Sequence, residues 1–184
     1  MTGNLLITGR PGVGKTTLIQ RILEQFPSLE IGGFFTTEIS NNGSRMGFTI
    51  HDVQGKDGLL AHVRQASPHR VGPYGVNVEE IDKVAVAALK VGIGKTDLMV
   101  IDEIGSMELC SNAFRKVVLK ALDSSTPVLG TIQRSGDPFL ERIRARPDLR
   151  ILSLTERNRE GLRRELLEEV GRIVQKARQI RART

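Results

Sequence analysis

One cysteine, one tyrosine and no tryptophan occur among the 184 residues, and aromatic residues make up only 4%. The lone Cys110 excludes an intrachain disulfide and suits a reducing compartment. The shortage of aromatics counts against a single-strand nucleic-acid platform, which stacks bases on such rings. No apolar run approaches the ~20 residues that span a bilayer. The N-terminus opens on an apolar run of strand length, not on a basic segment followed by a long apolar one, so no signal peptide is expected. His51, His62 and His69 fall in no ligand spacing with Cys110, so no zinc site is expected. Repeats and low-complexity segments are missing as well. These absences predict a soluble cytoplasmic protein with no membrane partner. The length predicts one domain over residues 1–184, able to bury a core without staples.

Positive charge is in excess, with 27 Lys and Arg against 21 Asp and Glu and a net charge of +6. Much of it lies between Arg134 and Arg183, interleaved with glutamates. That pattern reads as a solvated surface round a nucleotide site, ahead of dedicated nucleic-acid binding. Such a chain is read as a monomer rather than an obligate oligomer.

The most specific signal is Gly9-Arg10-Pro11-Gly12-Val13-Gly14-Lys15-Thr16. It fits the phosphate-binding loop G-x-x-x-x-G-K-[ST] in full. Its context is right too, with an apolar strand Asn4–Thr8 before it and a helix to about Phe26 after it. The glycines let backbone N–H groups converge on an anion, and the helix N-terminus adds its dipole. In that arrangement Lys15 reaches the β- and γ-phosphates and the Thr16 hydroxyl holds Mg²⁺.

Strands and helices alternate through the rest of the chain. Residues 33–39 and 46–53 read as a hairpin about the turn at Asn41–Ser44, and a third strand is expected near 59–63. Ser67–Val76, with two prolines and two glycines, reads as an ordered loop. A helix is expected from Asn77 or Val78 to Val91, with Ile81, Val84, Ala85, Ala88 and Leu89 on one face. Leu98–Ile101 is a continuous apolar run, as a buried parallel strand requires. Further elements are expected at 112–122, 127–132, 138–144 and 150–154. The last helix begins near Glu156, carries an apolar stripe from Leu162 to Ile180, and frays after that residue. Gly92-Ile93-Gly94-Lys95-Thr96 resembles half a phosphate loop, but a helix precedes it and a strand follows, so it reads as a helix-ending glycine. The fold class expected is α/β, three layers, with a mostly parallel central sheet and an antiparallel hairpin addition near residues 33–63.

Asp102 and Glu103 close the apolar strand, at the sheet end where ligands bind in open α/β folds. An aspartate there holds Mg²⁺, usually through water, and the next acid is placed to polarise an attacking water. Phosphoryl transfer also calls for positive charge at the γ-phosphate. Arg10, Arg70 and Arg134 are the candidates, and Thr131 and Gln133 could sense the γ-phosphate from the strand at 127–132.

Four further segments narrow the class: residues 33–39, 70–76, Asp102-Glu103-Ile104-Gly105-Ser106-Met107-Glu108-Leu109, and 154–159. In this order the chain resembles the thermophilic nucleoside-triphosphatase family over nearly its whole length. The resemblance implies a P-loop domain related to nucleotide kinases and RecA-like ATPases. It implies slow Mg²⁺-dependent hydrolysis of ATP, GTP, CTP, UTP and TTP with little base preference. Carried over residue by residue, Gly9, Arg10, Pro11, Gly12, Val13, Gly14, Lys15, Thr16 and Thr17 bind nucleotide, as do Met99, Val100, Ile101, Asp102, Glu103, Ile104, Gly105 and Ser106. Ser106 stands where many members carry lysine, and Gln133-Arg134 also departs from the family, which leaves the transition-state arginine open between Arg134 and Arg70.

Two rival functions share the loop. A nucleotide or nucleoside kinase would pass the phosphoryl group to an acceptor, with Arg142, Arg144 and Arg146 as a candidate lid. A nucleic-acid-coupled ATPase would show salt-sensitive binding and stimulated turnover. Glu103 directly after Asp102 favours water as the acceptor.

Overall fold

A computed structural model describes residues 3–183. The first strand, β1 (Asn4–Thr8), leads through the loop into α1 (Lys15–Leu23). Five strands follow: β2 (Ile31–Asn41), β3 (Ser44–Asp52), β4 (Asp57–His62), β5 (Arg70–Val71) and β6 (Tyr74–Val76). A helical run comes next, as α2 (Val78–Glu80), a π-helical segment Ile81–Val86 and α3 (Ala87–Gly92). The remainder alternates β7 (Leu98–Ile104), α4 (Asn112–Asp123), β8 (Val128–Ile132), α5 (Pro138–Arg144), β9 (Leu149–Ser153) and α6 (Arg159–Arg181).

All nine strands form one sheet in the order β5-β6-β4-β3-β2-β7-β8-β1-β9. The stretch from β2 to β9 is parallel throughout, and from β2 outward to β5 every pairing is antiparallel. Side chains alternate across the central strands. Leu6, Met99, Ile101 and Ile132 pack with the π segment, α4 and α5. Leu5, Ile7, Val100 and Leu129 pack with α1 and α6 on the other face. The result is the expected three layers, because central strands buried on both faces must be apolar at every position.

The differences from the expectations have local causes. Ser67–Val76 is not only loop: β5 and β6 make a tight hairpin there, so the antiparallel addition runs on to Val76. Strands of two and three residues are too short to show a period. The π segment widens the helical turn, so Val86 is buried while Ala88 is only partly so. Helix α1 stops at Leu23, and α6 starts at Arg159 because Asn158 Oδ1 accepts from Thr155 N (2.8 Å) and holds residues 155–158 in a turn. Ile180 is 40% exposed and outside the core stripe. Helix α6 runs one residue past Ile180, where Arg181 donates to Thr96 O (3.0 Å) and Asp97 Oδ1 (2.9 Å), and Thr184 lies outside the described residues.

Candidate active site

Residues 9–14 join β1 to α1. Val13 N donates to Arg10 O at 3.3 Å, and Gly12 and Gly14 take φ values of 76° and 93°. Only glycine adopts such angles without strain. Gly14 sits at the N-cap of α1, and no side chain caps that helix end. Its first N–H groups therefore point unclaimed into the loop, where an anion can take them. The Lys15 ammonium lies back over the loop carbonyls, 3.4 Å from Gly9 O and 3.5 Å from Arg10 O. These are long contacts, easily exchanged for phosphate oxygens.

Strand β7 does not stop at Ile101 but carries the acids within it. Asp102 is buried, at 2% exposure. One of its oxygens accepts from Thr16 Oγ1 and the other from Thr131 Oγ1, each at 2.6 Å. Three elements thus meet at one carboxylate: α1, β7 and β8. Burial pushes the Asp102 carboxyl above its ordinary range, while the two threonine hydroxyls and the Lys15 charge pull it back. Glu103 is also raised, first by burial and then by Asp102, with Lys15 opposing. Glu108 is buried completely enough that its pKa rises to about 8, through burial and then the neighbouring Glu103 charge.

Gly105 lies where three side chains converge. A β-carbon on it would meet Glu108 Oε2 at 3.2 Å, Gln133 Oε1 at 3.3 Å and Glu103 Cδ at 3.5 Å. Gln133 Oε1 accepts from Ser106 N (2.8 Å) and Ser106 Oγ (2.7 Å), which ties this turn to the end of β8.

The Thr16 hydroxyl and Asp102 carboxylate form a pair of hard oxygen donors. That set fits Mg²⁺, which keeps waters and takes one or two protein oxygens plus phosphate. Among the described residues no group of three or more His, Cys, Asp or Glu could hold a metal. The fit is therefore to an ion that arrives with phosphate and water, not to an all-protein cage.

Two cavities flank the loop and share Gly12, Gly14 and Thr17. The larger, about 510 Å³, contains Lys15, Thr16, Asp102, Glu103, Ser106 and Gln133 and extends to β2, β3 and β6. The smaller, about 240 Å³, is lined also by Leu18, Arg21, Arg159, Glu160 and Arg163. Arg159 donates to Val13 O at 2.9 Å and so braces the loop from that side.

A family model described as NTPase matches residues 4–167. The chain belongs to this nucleoside-triphosphatase family. A relative named nucleoside-triphosphatase THEP1, from Thermotoga sp. (strain RQ2), is 46% identical over 163 residues, covering 89% of this chain and 92% of the relative. The crystal structure of THEP1 from the hyperthermophile Aquifex aeolicus superposes with a TM-score of 0.83 at 33% identity, covering 91% of this chain and 98% of that one. The solution structure of a human cancer-related nucleoside triphosphatase gives 0.76 at 34% identity, covering 90% and 96%.

Within this NTPase-family site the sequence-derived residues divide into two groups. Pro11, Gly12, Gly14, Lys15, Thr16, Thr17, Asp102, Glu103, Gly105 and Ser106 line the larger cavity. Met99, Val100, Ile101 and Ile104 do not: each is 0% exposed and packs into a core. The strand that delivers the acids is central, so its own apolar residues cannot reach the ligand. Gly9 packs under Leu154, Val13 against the α1–α6 core, and Arg10 is exposed. Neither Arg70 nor Arg134 lines the cavity. Arg70 folds back on Pro73 O (2.6 Å) and Arg134 reaches Ser153 Oγ (2.5 Å). Thr131 is spent on Asp102 instead of facing the open cavity. The arginines that line these two cavities are Arg45, Arg21, Arg159 and Arg163, none of them a candidate from the sequence. Arg159 closes the segment 154–159 and Arg21 follows the loop on α1, but Arg45 and Arg163 lie in no motif, and only the folded chain brings them to the cavities.

Proposed function

We propose that the chain hydrolyses nucleoside triphosphates to the diphosphate and phosphate, with Mg²⁺, slowly, and with little preference for the base. The observation that carries this reading is the junction of Thr16, Asp102 and Thr131, with Glu103 next to it in the cavity that holds Lys15. In this reading the loop N–H groups and Lys15 hold the phosphates, so binding energy goes to the part all nucleotides share. Thr16 and Asp102 hold the metal, and Thr131 orients Asp102. When bound, Mg²⁺ supplies charge neutralisation at the β- and γ-phosphates. Glu103 accepts the proton of a water attacking in line at the γ-phosphorus. Its environment supports that role, since partial burial raises its affinity for a proton while Lys15 keeps it ionisable. Because the acids mark the γ-phosphate end, the nucleoside leaves the loop on the opposite side, toward Arg159 and Arg163. The names of the relatives support the same activity.

Phosphate release from a panel of ATP, GTP, CTP, UTP and TTP, with Mg²⁺ and with EDTA, tests the reading. Similar slow rates that vanish with EDTA are expected. Lys15→Ala abolishes turnover and weakens nucleotide binding. Glu103→Gln keeps nucleotide bound but slows release about 100-fold or more, the scale of a lost general base. Near-normal turnover in Glu103→Gln would remove that residue from the role.

A further inference from the structure

Phosphoryl transfer gathers charge on the γ-phosphoryl oxygens and calls for a donor aimed at them. The two arginines expected there are engaged elsewhere, Arg70 with Pro73 O and Arg134 with Ser153 Oγ. Two cations line the larger cavity among the described residues, Lys15 and Arg45. Lys15 belongs to the loop. Arg45 is held on the antiparallel extension, its Nε paired with Glu38 Oε2 at 2.6 Å and its guanidinium carbon 5.6 Å from the Phe48 ring centre. A neutral side chain, Gln133, is better placed than either arginine candidate. It follows β8 directly, and its backbone is held on both polar groups. Its N–H donates to Ile104 O at the end of β7 (3.0 Å). Its carbonyl accepts from the Arg144 guanidinium, which also donates to Ser135 O (2.9 Å). The side chain is tied as well. Oε1 accepts from Ser106 N (2.8 Å) and Ser106 Oγ (2.7 Å), which uses both lone pairs of the amide oxygen. A backbone N–H can only donate, so the amide oxygen faces Ser106 and the nitrogen turns away from it. Neither hydrogen on Nε2 has a protein partner among the described residues. Yet Gln133 is half-buried and lines the cavity with Lys15, Thr16, Asp102 and Glu103. A β-carbon on Gly105 would lie 3.3 Å from Gln133 Oε1 and 3.5 Å from Glu103 Cδ, so the two side chains end round one small space. With its oxygen engaged and its nitrogen free, the amide is a pure donor, suited to an anion.

We propose that Gln133, held by Ser106, donates an N–H hydrogen bond to a γ-phosphoryl oxygen and stabilises the transition state of hydrolysis where no arginine does. The inference rests on the hydrolase reading of the loop and acids. The water oxygen bonds to the γ-phosphorus as the bond from phosphorus to the β,γ-bridging oxygen breaks. The bridging oxygen keeps the electron pair and departs on the nucleoside diphosphate, and the water proton passes to the Glu103 carboxylate. Gln133 gives up no proton: its N–H stays on the phosphoryl oxygen as the group flattens and moves toward the water. A neutral donor stabilises that charge less than a guanidinium, which fits the slow turnover proposed above.

The test uses the full chain with Mg²⁺ and ATP and reads kcat and KM for phosphate release. Affinity is measured for ADP alone and for ADP with aluminium fluoride, which mimics the phosphoryl group in flight. Gln133→Met removes the donor and the tie to Ser106 together. Gln133→Glu keeps an oxygen for Ser106 but donates nothing, and Gln133→Lys donates but accepts nothing from Ser106. Gln133→Met and Gln133→Glu are each expected to lower kcat about 100-fold, the scale of one lost donor to transition-state charge. KM and ADP affinity stay within about threefold, while affinity for the aluminium fluoride complex falls with kcat. Gln133→Lys is expected to keep kcat within about tenfold of wild type. If Gln133→Met fails to fold, the Gln133→Glu and Gln133→Lys pair carries the comparison. Near-normal kcat in Gln133→Glu, or a Gln133→Lys loss as large as that of Gln133→Glu, overturns the proposal and leaves Gln133 as a tie for the turn. Equal losses of ADP and aluminium fluoride affinity also overturn it. In each of these cases phosphate release by the wild type leaves hydrolysis standing. No release by the wild type overturns the hydrolase reading along with this one.

Discussion

Surroundings separate the three acids of the site, although all are carboxylates within seven residues. Asp102 is satisfied on both oxygens by threonine hydroxyls at 2.6 Å. Glu103 faces the cavity beside Lys15. Glu108 is buried and has its pKa raised from 4.5 to about 8. The sign of its contribution follows from linkage. The unfolded chain releases this proton near 4.5 and the folded chain near 8, so folding retains a proton that unfolding gives up. Stability therefore falls as pH rises through that window. Melting temperatures of the nucleotide-free protein measured across it should decline. Glu108→Gln should flatten the decline and stabilise the protein at the alkaline end by roughly 1–3 kcal/mol, the cost of a poorly solvated buried polar group. An unchanged pH slope in the variant would assign the decline to another group. The loop residues and the two acids Asp102 and Glu103 are readable from the sequence because each group lies in one contiguous segment, although β7 runs on past the acids to Ile104. Thr131 as the second partner of Asp102 is not, because 29 residues separate the two and only strand pairing joins them.

Among the elements, the end of α6 shows how a long helix is anchored. Asp97 precedes β7 and is 8% exposed. It accepts from Arg178 Nε (2.9 Å), Arg181 (2.9 Å) and Glu30 N (3.1 Å). The Arg178 hydrogen bond holds its carboxyl down at about 2, from an ordinary 3.8, against the opposing effect of burial. A depressed acid stabilises the fold above its unfolded pKa, and that stability is lost as pH falls from 3.8 through about 2. Asp97→Asn should lower stability by about 1–2 kcal/mol near neutral pH, a modest figure because Arg178 is half exposed to water. Denaturant midpoints of wild type and variant should converge in acid. Midpoints that stay apart below pH 2 would show that packing, not the ion pair, is lost. The helix itself is legible from its apolar spacing. Its anchorage is not, because Arg178 and Arg181 look like any charged tail until Asp97 is placed beneath them.

Across the whole molecule, cover over the sheet is uneven. Strands β1, β7 and β8 are enclosed by helices on both faces. In the extension, the exposed Thr37 is joined to Thr49 (2.6 Å) and His51 (2.7 Å), and His51 to Asp57 (2.7 Å), in a polar ladder across β2, β3 and β4. Backbone amides of β3 and β4 should exchange with solvent faster than those of β1, β7 and β8, which open only with the whole domain. Hydrogen exchange read by mass spectrometry checks this. Equal protection in the two regions would mean that the extension unfolds only with the core.

By itself the sequence determined the glycine-rich loop between strand and helix, the apolar strands, the buried faces of most helices and the attachment of the acids to the apolar run 98–101, though not that β7 runs on past them to Ile104. These rest on short-range chemistry: glycine angles, side-chain periodicity and contiguous motif residues. The strand at 127–132 lies beside 98–101 as expected. Tertiary structure alone decided the rest of the strand order, with β1 on the far side of β8, and the contact of Thr131 with Asp102. It alone folded residues 67–76 into the hairpin that closes the cavity, and it turned Arg70 and Arg134 away while bringing Arg45, Arg159 and Arg163 to the cavities. Those contacts join residues far apart in the chain, and their geometry exists only once two helical layers have packed against the sheet.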